Sequence, residues 1–491
     1  MILFSTAVIG QDAPVASNVS AATVKNTNAS IHLVASDADY DSLTYSIVST
    51  PSSGTATLIG ETVTYSPNPD FSGTDSFTFK ANDGAADSAT KTVTIKVIDG
   101  YRATANQIGL DIDGELGDRQ GQSVSFNEDH SVMAVGAYRH DSRKGTVRIY
   151  TYNGTAWTQQ GSDLDGEAGD YQGWTVSLSS DGTTLAVGAY GHDSNKGTVR
   201  IYTYNGTAWT QQGSDLDGEA GDYQGNSVSL SSNGTTLAVG APNHDSRKGT
   251  VRIYTYNGTA WIQQGSDLDG ESGDQQGYSV SLSSNGTTLA VGAFNHDSKG
   301  TVRIYTYNGT AWIQQGSDLD GESGDQQGSS VSLSSNGTTL AVGAWFHGTD
   351  RKGTVRIYTY NGTAWSQQGS DIDGVSTNEN QGTSVSLSSD GTTLAVGAWF
   401  HGTDRKGTVR IYTYNGTAWS QQGSDIDGVS TNENQGASVS LSSDGTTLAT
   451  GAFKHASKGT VRVYNLINPS ASPIASNVSA ATVKNTNASI H

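Results

Sequence analysis

Cysteine is absent from this 491-residue chain, and only 7 prolines and 2 methionines occur. Without thiols there is neither a disulfide nor a thiolate metal site, so stability must come from packing or from hard cations. Charge is also scarce, at 15 % of residues, and lopsided: 27 Lys+Arg stand against 47 Asp+Glu, for a formal charge of −20. That balance, with no basic stretch, speaks against nucleic acid as a partner, because an acidic surface repels phosphates. No run of about 18 apolar residues exists, which excludes a membrane-spanning helix. Helical periodicity is missing, and so are the short catalytic motifs HExxH, GxSxG, the P-loop and the dinucleotide fingerprint. The abundant residues are glycine (61), tyrosine (22) and, for its rarity, tryptophan (9). That many aromatics argue for a packed chain rather than a disordered one.

Repetition dominates the rest. The segment reading Asp-Leu-Asp-Gly-Glu at Asp163 recurs with small changes at Asp111, Asp215, Asp267, Asp318, Asp371 and Asp425, making seven copies. A copy contains Trp174–Leu178, an Asp-Gly turn, Thr184–Ala189, a polar loop, Thr198–Tyr204, an Asn-Gly turn and Ala208–Gln212. Alternating runs joined by Asp-Gly or Asn-Gly are hairpin signals. Four antiparallel strands in about 50 residues is the propeller pattern. The seventh copy ends at Val461–Leu466 without the last strand, whereas Gln107-Ile108-Gly109 ahead of the first copy aligns with Gln159-Gln160-Gly161. The chain is therefore expected to be all-β, a seven-bladed propeller over 101–467 whose last blade is closed by an N-terminal strand. An open solenoid would call for capping repeats instead.

Residues 14–99 read as a β-sandwich, with alternating runs at Leu43–Val48, Thr62–Tyr65, Ser76–Lys80 and Thr92–Val97. Ala16–His32 recurs word for word as Ala475–His491. Residues 468–491 are therefore expected to be a linker and the start of a second such module in a longer tandem chain. Residues 1–13 are expected to be the tail of a preceding module or a truncated leader.

Two resemblances follow from these residues. Gln-Gly-x-Ser-Val-Ser, then Leu-Ala-Val-Gly-Ala and Gly-Thr-Val-Arg-Ile-Tyr, with Val239-Gly240-Ala241-Pro242 nearly intact, resemble the FG-GAP repeat of integrin α-subunit propellers and bacterial surface proteins over 108–466. Ser36–Asp39, Leu43–Tyr45, Tyr65–Pro67, Phe71–Phe77 and Asn82–Gly84 resemble the cadherin-like, Ig-type tandem modules of bacterial adhesins. The resemblance implies an extracellular or cell-surface adhesion protein without enzymatic activity. Its propeller would be a monomeric platform for a glycan or protein ligand, and its sandwiches would be spacers. A secreted glycan-active enzyme and a passive stalk are the competing readings. FG-GAP repeats often carry a calcium loop, but the turns here, such as Ser180-Asp181-Gly182, are too short to wrap the ion. Calcium is expected, if anywhere, in the sandwich, on Asp37, Asp39, Asp41, Asp75, Asn82 and Asp83, which supply hard oxygens. The same residues also read as plain turn formers.

Strand order puts the loops after the second and fourth strands on one face. They bring a histidine per copy (His140, His192, His244, His296, His347, His401, His455) beside carboxylates such as Asp163, Asp165, Glu167 and Asp170. These loops read as solvated and polar, a metal or acid/base ring being the alternative. The copies differ most at three positions on this face. Trp174 and Tyr278 occupy one; Tyr138, Tyr190, Phe294, Trp345, Trp399 and Phe453 a second; Phe346 and Phe400 the third. Rigid aromatics varied on a fixed frame suggest a recognition surface. Packing between blades is the alternative.

Overall fold

The structure is a computed structural model that describes residues 13–25, 28–37, 41–69, 71–98 and 101–467. The expectations for 1–12, Asp39 and 468–491 lie outside these residues. Val19–Val24, Lys91–Ile98, Gly73–Asn82 and Thr44–Ser49 form one sheet of the N-terminal module. Ala29–His32, Thr62–Pro67 and Gly54–Ile59 form the other. Ile31, Leu33, Val63, Tyr65, Phe77, Phe79, Val93 and Ile95 are buried between them. Alternation in the sequence marked four of these strands. Val19–Val24, Ala29–His32 and Gly54–Ile59 carry alanine and threonine where a larger apolar residue would have signalled a buried face.

Beyond it, the described residues form seven four-stranded antiparallel sheets. The first blade contains Gln120–Phe126, Val132–Ala137, Thr146–Tyr152 and Trp157–Gln159, with Leu164–Asp165 sharing the outer edge of the third strand. Equivalent residues of all seven innermost strands (Phe126, Leu178, Leu230, Leu282, Leu333, Leu387 and Leu441) line a single axial cavity. The backbone N–H of each donates to a serine of the previous blade, as in Leu178 N to Ser125 Oγ at 3.0 Å. Phe126 N to Ser440 Oγ, 3.1 Å, completes the circle between first and last blades.

The apolar cores lie between blades. Ala134, Val147 and Ile149 of the first blade pack against Val176, Leu178, Leu185, Val187 and Tyr202 of the second, and the pattern repeats around the ring. The second and third strands are therefore covered on both faces, which is why Leu-Ala-Val-Gly-Ala carries no polar residue. Gly240 shows how close the blades come: a Cβ there would overlap the carbonyl oxygen of Gly277 in the next blade and Ser227 Oγ.

Closure follows the expected route. Tyr101–Gln107 pairs antiparallel with Thr460–Ile467, and Ile112–Asp113 continues the pairing at Val461 and Thr460. The sandwich lies over the end of the ring that carries the turns between first and second strands. There Val19, Ile31 and His32 face Asn336, Asp390 and Tyr414 across a cavity of about 300 Å³. Lys96 Nζ stands 4.0 Å from Asp444 Oδ2. The opposite end is free of the sandwich.

Candidate ligand-binding face

On the free end, the loop after the second strand in blades one to four and seven makes a short run of left-handed backbone, as at Asp193 and Ser194, with φ of 44° and 61°. Such φ values are tolerated best by short polar residues. The turn presents His192, whose Nδ1 lies 2.9 Å from Asp170 Oδ1. Arg200, on the third strand, donates from Nη1 to Asp170 Oδ2 (2.7 Å) and Gln172 Oε1 (2.7 Å), and from Nε to Asp215 Oδ2 (2.8 Å). Arginine, inner carboxylate and glutamine are all buried.

The same lock recurs in every blade; the loops stay largely exposed, as read from the sequence, but each is tied to its blade through its histidine and inner carboxylate. Copies six and seven keep it despite Val375 and Val429. A loop longer by one residue substitutes Glu379 and Glu433 for the aspartate. In the seventh blade the outer partner of Arg462 is Asp111, 2.9 Å away and 351 residues earlier.

The lock also bears on the metal alternative. Glu115, Asp118 and His140, and again His140, Asp163 and Asp165, bring ligand-type atoms within 4.8 Å of one another. Asp118 and Asp163, however, both bond to Arg148, at 2.8 Å each. The guanidinium already supplies the counter-charge a cation would bring. Burial pushes Glu379 up, but hydrogen bonds from His401, Arg410 and Ser376 outweigh it and hold the carboxyl down to about 2. Glu433, bonded to Arg462, Ser430 and His455, is likewise held at about 2. The Glu379 hydrogen bond in turn raises His401. Carboxyls held this low are fixed anions and cannot donate protons near neutrality.

The ten aromatics singled out from the sequence fall on this face, and none of them is fully exposed. Tyr138 and Phe453 are buried, and the other eight are half-buried. This corrects the picture of exposed rings. They form three groups. In the first two blades Tyr138 and Tyr190 flank Trp174, with ring centres 5.1 and 4.8 Å away. Tyr278 and Phe294 pair at 4.1 Å. Across blades five to seven, Trp345, Trp399 and Phe453 occupy equivalent positions on successive blades, at 5.9 Å per step. Phe346 and Phe400 stand edge-on to the two indoles at 5.1 and 4.8 Å.

Sequence reasoning missed a fourth variable position, just before each Gln-Gly pair: Arg119, Tyr171, Tyr223, Gln275, Gln326, Asn380 and Asn434. All seven have positive φ, and Tyr171 stacks on Tyr190 at 5.1 Å. Its variation between copies was the available signal.

The six calcium candidates of the sandwich separate. Asp75 is buried and accepts from Ser52 N, Ser52 Oγ, Ser53 N, Tyr65 Oη and Ser76 N at 2.8–3.0 Å, so both oxygens are spent on the fold. This removes Asp75 from the proposed ligand set. Asn82 and Asp83 close a turn, accepting from Gly84 N (2.8 Å) and from Ala85 and Ala86 N (2.6 and 2.7 Å). Asp37 Oδ1 accepts from Asp41 N at 3.3 Å.

These features define a β-propeller of FG-GAP type behind an Ig-like sandwich. Residues 11–96 match the family model of the bacterial Ig domain, and residues 157–202 and 209–255 match that of the FG-GAP repeat. No curated protein matches the chain. Among solved structures it is similar to the hydrazine synthase of Kuenenia stuttgartiensis, at 13 % identity and a TM-score of 0.49, over 72 % of this chain and 97 % of that one. It is also similar to a protein of Bacteroides uniformis described as a candidate 6-phosphogluconolactonase, at 11 % identity and a TM-score of 0.46, over 63 % and 85 %. No helix among the described residues is long and apolar enough to cross a membrane.

Proposed function

We propose that the chain is a non-enzymatic, extracellular binding protein whose propeller presents the face opposite the sandwich to a glycan or protein ligand. The observation that carries this reading is the contrast between a frame repeated seven times and the aromatics varied upon it. The Arg–carboxylate–His locks fix every loop on that face, and the variable residues project from them. A fixed frame lowers the entropic cost of binding. Against an enzyme stands the depression of Glu379 and Glu433 beside arginines. The sandwich, seated at the other end, serves as a spacer. Calcium in the sandwich stays part of this proposal on the alternating carboxylates Asp37, Asp39 and Asp41 of the sequence.

The test is a glycan-array and pull-down screen of the whole chain, with calcium and with chelator. Trp345→Ala/Trp399→Ala is expected to lose ligand capture at least tenfold while its thermal unfolding stays cooperative. Undiminished capture by this variant would sink the assignment of the face.

A further inference from the structure

Cations lie over rings in two parts of this face: Arg139 and Arg143 over Tyr138 and Tyr171 in the first two blades, and a denser set over blades five to seven. Arg119 and Lys454 both lie over the Phe453 ring, at 5.9 and 5.3 Å from its centre. Lys454 and Arg405 share the Phe400 ring, at 6.0 and 5.1 Å, and Arg351 lies 4.9 Å over Phe346. Three cations thus crowd two adjoining rings in a chain of charge −20. None of these four side chains ion-pairs with a carboxylate among the described residues, unlike Lys406 with Asp404 at 3.3 Å nearby. Burial and the charges of Arg119 and Arg405 lower the Lys454 ammonium, so the cluster works against itself without an anion. The carboxylates beneath it cannot serve, because Glu379 and Glu433 are held by Arg410 and Arg462.

A second observation concerns hydrogen bonding. Trp345 Nε1, Trp399 Nε1, Gln326 Oε1 and Asn434 Oδ1 are buried without a partner, and all four belong to this same arc. Asn434 itself is only 1 % exposed, and its Nδ2 donates to the Trp399 carbonyl at 3.1 Å, leaving the oxygen unused. Buried polar atoms left unpaired are costly, and such a concentration calls for an explanation. The arc therefore offers the half-buried rings of Trp345, Trp399 and Phe400, a regular 5.9 Å step and unneutralised cations, with unpaired donors and acceptors directly beneath. A sugar polymer with acidic groups has the complement of each: apolar ring faces, hydroxyls that both donate and accept, a regular repeat and negative charge.

Building on the reading of this face as a ligand platform, we propose that the arc of Trp345, Trp399, Phe400 and Phe453 with Arg119, Arg405 and Lys454 binds an acidic polysaccharide. Sugar rings lie along the aromatic ladder, and carboxylate or sulfate groups meet the three cations.

The test uses the whole chain against immobilised polygalacturonate and dextran sulfate, which separate the uronate source from the sulfated one. Neutral dextran, poly-glutamate and oligodeoxythymidylate serve as comparison polymers. Expected is binding to at least one acidic polysaccharide, weakening as salt screens the cations. It should fall at least tenfold in Arg119→Gln/Arg405→Gln/Lys454→Gln, with the single Lys454→Gln variant intermediate, and melting temperatures should be unchanged. Equal binding of neutral dextran overturns the acidic specificity but leaves the platform standing. Equal binding of poly-glutamate or the oligonucleotide overturns the polysaccharide class. Full retention in the triple variant overturns the site, and binding to none of the polymers overturns the proposal. Loss of all capture in the glycan-array and pull-down screen would instead remove the platform itself.

Discussion

Single residues show how closely the copies depend on one another. Five of the six outer-strand tryptophans donate the indole N–H to a glutamine of the preceding blade, as Trp261 does to Gln212 at 3.1 Å. Trp157 has no such partner, because Ile108 stands where the other blades have glutamine, and its Nε1 is buried unpaired. Ile108→Gln is expected to supply the acceptor and raise unfolding free energy by about 1 kcal/mol in urea titrations, the net worth of a buried hydrogen bond. No gain would mean that the apolar contact of Ile108 with Trp157 matters as much. The locks make a second residue-scale prediction. Glu379 has a folded pKa of about 2 against an ordinary 4.5, so its contribution is complete above about pH 4.5 and is lost as pH falls through about 2. His401 is raised above 6.5, so its contribution is complete below that value and is lost as pH rises through the folded pKa. Stability from this lock should therefore peak between roughly pH 4.5 and 6.5. In Glu379→Gln the acid limb of a melting-temperature profile should flatten; a limb as steep as the parent's would show that other carboxylates govern it.

At the scale of the element, the second strand of a blade is specified by contact rather than by alternation. Its glycine is required because the neighbouring blade's backbone occupies the space of a side chain. Gly240→Ala is expected to cost roughly 1–3 kcal/mol through overpacking. The measurement is chemical denaturation beside Gly206→Ala, a turn glycine whose Cβ would meet nothing but whose φ is +92°. A loss at Gly240 no larger than at Gly206 would remove the packing argument, because Gly240, unlike Gly206, has no left-handed φ to strain. The hairpins were legible for a local reason. Asn205 Oδ1 accepts from Thr207 N and Ala208 N, both at 2.9 Å, so the turn forms from its own four residues.

For the molecule as a whole, the ring is held by a strand and an ion pair brought from upstream. Tyr101–Gln107 covers the last blade's outer edge, and Asp111 completes the seventh lock on Arg462. A chain starting at residue 120 is expected to leave Thr460–Ile467 as an open edge and to lose cooperative unfolding. Fast hydrogen exchange over 447–467 would report the fraying. Exchange as slow as in the full chain would show that six complete blades hold the seventh shut unaided.

Repeat number, strand order, closure and the sides on which the loops emerge were fixed by the sequence, because each follows from local alternation, turn chemistry and copy counting. The tie of each loop histidine to a buried carboxylate–arginine pair, the conversion of Asp75 into a core staple and the meeting of Arg119 with Lys454 were not. Those depend on residues 22 to more than 300 positions apart being brought within hydrogen-bonding or ring-contact distance. Only the closed ring, by placing the start of the chain against its seventh blade, decides which charges find partners and which are left without a carboxylate.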